Sequence, residues 1–357
     1  MKYVLHVSLF ICILGVKLWA TPTIDQMISQ MIMVGFNGTT VEDKWVQQIA
    51  LDIEKQRIGG VVLTGRNIKT SDQLKALTAF LHAQARETPL LVATEQEGGE
   101  FSQLSPMKGF TAFLSAFDIM EKMDLTAAFH TYTTMARLLK EHHINYNLAP
   151  VVDIAQEDSP SIGQKGRSFS PYANIVSVYS STFVDAFAKE HILTTLKHFP
   201  GYGSASKDAQ KEQADISLSW QFDELKPYYD MIKTNKITSV MVSNLYLKRF
   251  DLIYPAMLSE IIVNGLLRER MGYQGVVISD DMLSKGISRA FSLEERVVLS
   301  INAGVDILLF SDYFLKGTNT PKAIHAIIKE AVTNGAIQEK TIHKAYERII
   351  RMKKGLQ

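Results

Sequence analysis

The chain is poor in cysteine, in any excess of one charge sign, and in long apolar runs. A single cysteine, Cys12, occurs in 357 residues, so no disulfide can close within the chain and no thiolate cluster can hold zinc. Lysine and arginine number 38 against 37 acidic residues, a formal net charge of +1. With no basic stripe interleaved with aromatics, the electrostatic footprint of a nucleic-acid binder is missing. Glycine is sparse where a nucleotide would need it: Gly35-Phe36-Asn37-Gly38 lacks the repeated glycines of a phosphate-binding turn. His142 and His143 have no carboxylate or cysteine at ligand spacing. Neither a metal nor another cofactor is expected, and nucleic acid is excluded as a partner.

The one long apolar run is Val4 to Val16, broken only by His6 and Ser8, with Lys2 before it and Ala20-Thr21-Pro22 after it. A positive start, a short apolar core and a small residue before the cut make the pattern of a secretory signal. The run falls short of the roughly 20 residues that span a bilayer. Residues 1–20 are therefore expected to be a signal peptide and 21–357 the mature chain, exported, to the periplasm, with no membrane span after cleavage. Leu18 and Trp19 make an imperfect cleavage site, which leaves an uncleaved anchor as the alternative. Cys12 falls inside the leader, so the mature chain carries no thiol.

What is present from residue 21 onward is alternation. Short apolar runs at Met31–Phe36, Gly60–Thr64, Leu90–Ala93, Asn145–Pro150, Leu193–Lys197, Ser239–Ser243, Val276–Ser279 and Asp306–Phe310 are separated by amphipathic stretches. Most are continuous, as in Val276-Val277-Ile278, the signature of strands buried on both faces of a parallel sheet. Thr70 stands three before Gln73 and Ser292 three before Glu295, the spacing of a capping box. Gly304 suits a helix C-terminus. Eight βα units with no gap for a second domain predict a single-domain α/β fold of the (β/α)8 TIM-barrel type, with an open doubly wound sheet as the runner-up. A barrel concentrates its chemistry at the carboxyl ends of its strands. Those ends read Asn37, Arg66-Asn67, Glu95 and Glu97, Asp153, Lys197-His198, Asn244, Asp280-Asp281 and Ser311-Asp312.

Several of these residues lie in stretches that carry a resemblance. Gln30-Met31-Ile32-Met33-Val34-Gly35-Phe36, Arg57-Ile58-Gly59-Gly60-Val61-Val62-Leu63, Gln96-Glu97-Gly98-Gly99, Asn147-Leu148-Ala149-Pro150-Val151-Val152-Asp153, Arg167-Ser168-Phe169, Lys197-His198-Phe199-Pro200-Gly201 and Ser279-Asp280-Asp281 follow one another as in the family 3 glycoside hydrolases. The chain most closely resembles the single-domain β-N-acetylhexosaminidases. The resemblance implies a retaining glycosidase, with a carbohydrate as its partner, substrates containing N-acetylglucosamine such as peptidoglycan fragments, and a monomeric state. It places the nucleophile at Asp280, with Asp281 as a supporting neighbour. A carboxylate anchored on a strand end suits attack on an anomeric carbon. Lys197, His198 and Arg167 match sugar contacts, Glu95 stands where the family has a substrate-facing aspartate, and Asp153 is placed to orient the others.

The chain also departs from the family pattern. The family's acid/base histidine follows an aspartate by two residues on the loop after the fifth strand. Here the loop reads Lys207-Asp208-Ala209-Gln210, and a glutamine has no titratable proton. Tyr202 replaces another histidine, and Glu100 and Gln103 replace arginines. Asp208, Glu212 and Glu95 are the candidates for a substitute acid, which in a retaining enzyme stands about 5–5.5 Å from the nucleophile. Three functions stay open: an active N-acetylhexosaminidase, a glycan-binding protein with impaired catalysis, and an enzyme of β-glucosidase-type specificity.

Overall fold

The computed structural model describes residues 21–315 and 318–356; the expected leader, with Cys12, lies outside the described residues. All eight expected strands form. They are β1 (Ile32–Gly35), β2 (Gly60–Leu63), β3 (Leu91–Thr94), β4 (Tyr146–Asn147), β5 (Leu193–Phe199), β6 (Ser239–Val242), β7 (Val276–Ser279) and β8 (Leu308–Phe310). From β1 to β7 each pairs in parallel with the next, and β8 pairs with β1. The seam between β7 and β8 is bridged at Ile278 and Ile307, where the Ser279 N–H donates to Ile307 O at 2.9 Å. The sheet is thus a barrel and not an open doubly wound sheet.

The ring of helices follows the strands, from Lys44–Glu54 after β1 to Thr320–Thr333 after β8, with Glu339–Lys354 completing the layer. Thr70 and Ser292 cap their helices through the N–H groups of Gln73 and Glu295. Glu295 returns the bond to the Ser292 N–H, whereas Gln73 reaches back one residue further, to the Lys69 N–H. Gly304 closes its helix at φ +107°, a left-handed conformation that costs glycine no Cβ clash. Val276, Val277 and Ile278 are all buried, and burying each such side chain contributes roughly 1.5–3 kcal/mol.

Two strand ends differ from the sequence reading. β4 is a two-residue ladder, and its pairing with β5 resumes at the bridge between Val151 and Lys197. β5 runs two residues beyond the expected Lys197, which builds both Lys197 and His198 into the barrel wall. Polar residues also enter the barrel interior as a closed set. Tyr146, Thr195 and Ser239 share hydroxyl hydrogen bonds of 2.7–2.8 Å, with no exposure to solvent, so each buried polar atom is satisfied.

At the opposite face, Lys353 is 2% exposed. Its Nζ donates to Gln30 Oε1 at 2.6 Å and to Gly59 O at 2.8 Å, with no ion pair among the described residues. Burial without a counter-ion pushes this amine down from 10.5 to about 7. Unfolding therefore takes up a proton between those two values, so this residue makes stability rise with pH across that window, by up to about 1.4 kcal/mol per pH unit. Urea denaturation at pH 7 and pH 9 is expected to show a rise in wild type that is smaller by roughly 2–3 kcal/mol in Lys353→Met. An unchanged rise in the variant would assign the pH dependence to other groups.

Candidate active site

Asp280 follows β7 directly and is 6% exposed. Its N–H donates to Val242 O at 2.9 Å, which fixes the backbone against β6. Its Oδ1 accepts from Gln210 Nε2 at 2.8 Å and from the Asp281 N–H at 2.7 Å. Its Oδ2 is buried with no hydrogen-bond partner. One carboxylate oxygen is thus clamped and the other is unpartnered. Asp281 serves the backbone instead, with its Oδ1 accepting the N–H groups of Leu283 and Ser311, both at 3.0 Å. It ties the end of β7 to the end of β8. Burial, with a smaller contribution from Asp280, pushes the Asp281 carboxyl above its ordinary range.

Beside this pair lies a buried charge cluster. Lys197 Nζ, with no solvent exposure, pairs with Glu95 Oε1 at 2.8 Å and Glu97 Oε1 at 2.7 Å. Glu97 also receives Arg167 in a two-pronged contact, Nε and a terminal nitrogen both at 2.8 Å. The guanidinium lies over the Phe101 ring, 4.2 Å from its centroid, and donates to Ser161 O at 3.1 Å. Phe101 reaches it because Gln96–Gly98 folds back on Phe101–Ser102 as a hairpin. Gly98, at φ +105°, turns that hairpin where a Cβ would strike Leu114 O. Burial alone would push the Glu97 carboxyl up, but Arg167 and then Lys197 hold it at about 2. Burial likewise opposes the two flanking charges, yet Lys197 keeps Glu95 below its ordinary range and the two glutamates keep Lys197 above its own.

Asp153, fully buried, organises the neighbouring turn. Its Oδ1 accepts the N–H groups of His198 (3.0 Å) and Tyr202 (2.8 Å), and its Oδ2 faces His198 Nδ1 at 2.8 Å. A carboxylate only accepts, so Nδ1 is the protonated nitrogen and Nε2 is left as an acceptor when the ring is neutral. Between His198 and Tyr202, Gly201 adopts φ +128°, and a Cβ there would collide with Glu224.

The loop that carries Gln210 is pinned at four backbone atoms. Ala209 N–H donates to the Tyr202 hydroxyl at 2.6 Å, and Asn244 Nδ2 donates to Ala209 O at 2.9 Å. Gln210 N–H donates to Asp208 Oδ1 at 3.0 Å, and Gln210 O accepts from the Lys285 N–H at 3.0 Å. Tyr202 is thus a loop anchor, and burial raises its phenol to about 12.

The expected site residues Asp280, Lys197, His198, Arg167, Glu95 and Asp153 all gather at the carboxyl ends of β3, β4, β5 and β7 or on the loops that follow. Asp208 stands on the Gln210 loop, where its carboxylate is taken up by the Gln210 N–H and by Lys211 at 3.0 Å. Glu212 lies at the surface, paired with Lys207 at 2.8 Å. Sequence reasoning did not single out Glu97, the hub of the charge cluster, although it lies in a recognised stretch and at a strand end. It also gave Gln210 only a negative role. A 340 Å³ cavity at the other end of the barrel, beside Leu193 and Val276, is lined by none of these residues; barrel chemistry belongs to the opposite face. Among the described residues no group of histidine, cysteine and acidic side chains is arranged to hold a metal.

Known proteins share this architecture. The sequence model described as the glycosyl hydrolase family 3 N terminal domain matches residues 23–352. A beta-hexosaminidase of Tolumonas auensis is 32% identical over 308 residues, 81% of this chain and 90% of that one. An uncharacterized secreted glycosyl hydrolase of Arthroderma benhamiae is 30% identical over 316 residues, 85% of this chain and 84% of that one. A family 3 beta-N-acetylglucosaminidase structure from Paenibacillus aligns with a TM-score of 0.86 at 28% identity, covering 94% of this chain and 63% of that one. A beta-N-acetylhexosaminidase structure from Beutenbergia cavernae aligns at 0.84 and 28%, covering 94% and 99%. This chain belongs to glycosyl hydrolase family 3.

Proposed function

We propose that this chain is a retaining glycoside hydrolase that removes β-linked N-acetylhexosamine, N-acetylglucosamine first, with Asp280 as nucleophile. The observation that carries the proposal is the Asp280 carboxylate on a strand end, one oxygen clamped and the other unpartnered. The names of the relatives, beta-hexosaminidase and beta-N-acetylglucosaminidase, support the sugar. Lys197, Arg167 and His198, held by Glu95, Glu97 and Asp153, supply fixed donors and an acceptor for the hydroxyls and the acetamido group. Fixed donors cost no reorganisation when the sugar distorts in the transition state. Export is supported by the leader-like pattern of residues 2–22 and by a secreted relative. No described helix is long and apolar enough to cross a membrane.

The test compares the 2,4-dinitrophenyl glycosides of N-acetyl-β-glucosamine, β-glucose and β-xylose. The first is expected to be turned over with kcat/KM higher by at least about a hundredfold, since a site built around a polar substituent leaves groups unpaired without it. The first-formed product should keep the β configuration. Equal rates on the glucoside would point to β-glucosidase-type specificity. Binding of N-acetylglucosamine with no turnover would favour the glycan-binding reading, which the replacement at Gln210 keeps in view.

A further inference from the structure

A retaining glycosidase ordinarily lends a proton to the departing oxygen, and among the described residues the candidate carboxylic acids are engaged in other contacts. Glu95 is paired with Lys197 Nζ at 2.8 Å, which, against the effect of burial, keeps its carboxyl below the ordinary range. Asp208 holds the Gln210 N–H and Lys211, and Glu212 pairs with Lys207 at the surface. Asp281, next to the nucleophile just beyond β7, has its Oδ1 taken up by the N–H groups of Leu283 and Ser311. His198 directs its Nδ1 proton to Asp153. The side chain that does reach the nucleophile is an amide, Gln210, on a loop fastened to Tyr202, Asn244 and Lys285 through the backbone of Ala209 and Gln210. Such a placement is built, and an amide can orient a carboxylate but cannot protonate a leaving group.

We propose that this enzyme works without a general acid and is selective for glycosides whose aglycone departs as a stable anion, phenolates above all, with Gln210 as a positioning residue for Asp280. The inference rests on the nucleophile assigned above. In the first step Asp280 Oδ2 bonds to the anomeric carbon as the bond from that carbon to the aglycone oxygen breaks. The aglycone oxygen keeps the bonding pair and leaves unprotonated. Water then attacks the anomeric carbon, the ester bond to Asp280 breaks, the carboxylate is restored, and the proton passes to solvent. A linkage between N-acetylglucosamine and a sugar hydroxyl, as in peptidoglycan, is then a slow substrate because its leaving group is an alkoxide.

The test is a series of aryl N-acetyl-β-glucosaminides of graded phenol acidity, ending with the methyl glycoside, assayed with the full mature chain. In wild type, kcat/KM should fall steeply, approaching about tenfold per unit of leaving-group pKa, because charge on the departing oxygen is uncompensated. Gln210→His should flatten that dependence and speed the poorest leaving groups most. Gln210→Ala should slow all members by a similar factor, about tenfold, with the slope unchanged, as removal of a hydrogen bond to a charged group predicts. A shallow slope in wild type, with the methyl glycoside turned over nearly as well as the aryl ones, overturns the proposal by revealing an acid. If even the dinitrophenyl glycoside gives neither product nor a glycosylated protein by mass spectrometry, the hydrolase reading fails and takes this inference with it. The wild-type slope alone decides the matter, so the test does not depend on either variant folding.

Discussion

Asp280→Ala is expected to lower kcat/KM on 2,4-dinitrophenyl N-acetyl-β-glucosaminide by about 10⁴-fold or more, equivalent to roughly 5.5 kcal/mol of lost transition-state stabilisation. This substrate isolates the nucleophile, because its leaving group needs no proton. No other carboxylate can step in: Asp281 is bound to Leu283 and Ser311, and Glu95 and Glu97 are paired with cations. The fold should tolerate the change. Alanine leaves the Asp281 N–H without its acceptor, a cost of about 1–3 kcal/mol, and it also removes a negative charge that crowds Asp281. Asp280→Asn, which keeps the shape, should be equally inactive and closer to wild type in melting temperature. Activity in both variants within about tenfold of wild type would remove Asp280 from the chemistry.

The second large effect concerns stability. Glu97→Gln is expected to destabilise the fold by roughly 3–5 kcal/mol, the usual consequence of leaving a buried charge without its partner. Lys197 would keep only Glu95, whose side chain is 40% exposed, as a charged partner, and Arg167 would keep one amide oxygen in place of its two carboxylate acceptors and face an NH2 at the other position. The pH dependence supplies an independent check. Glu97 sits at about 2 in the folded chain against an ordinary 4.5. Its depressed value means that its contribution is fully present above pH 4.5 and is lost as pH falls through about 2. That loss amounts to about 3 kcal/mol in wild type and should vanish in Glu97→Gln. Guanidinium denaturation of both proteins at pH 7, 4.5 and 3 captures about 2 kcal/mol of it, the remainder falling below pH 3. Parallel curves would show that Glu97 is not the group that titrates.

The barrel was legible in the sequence because strands buried on both faces must be apolar throughout, and Val276-Val277-Ile278 could scarcely be anything else. Capping was equally plain, since Ser292 and Glu295 act within one turn. Asp280 could be placed because a strand end and a recognised stretch coincide there. What stayed hidden depends on pairs distant in the chain. Glu97 meets Arg167, and Gln210 meets Asp280, each across 70 residues. No local pattern marks such a pair. Gln-Glu-Gly-Gly reads as a turn, and only the folded hairpin, with Phe101 laid on Arg167, reveals that its glutamate is the centre of a charge cluster. Lys353 escaped notice for the same reason: in the sequence it belongs to a basic helix end beside Arg351 and Lys354, and only packing against Gln30 and Gly59 removes it from water.

The central claim is that Asp280 bonds to the sugar, and the direct test is to catch that bond. Wild-type protein is mixed briefly with 2,4-dinitrophenyl N-acetyl-β-glucosaminide, quenched in acid, and measured as an intact mass and then as peptides. The account predicts a burst of dinitrophenol and a mass increase of one N-acetylglucosaminyl residue, carried by the peptide containing Asp280 and absent from Asp280→Ala. Hydrolysis with the adduct on another residue, or an adduct that persists in the variant, would contradict it.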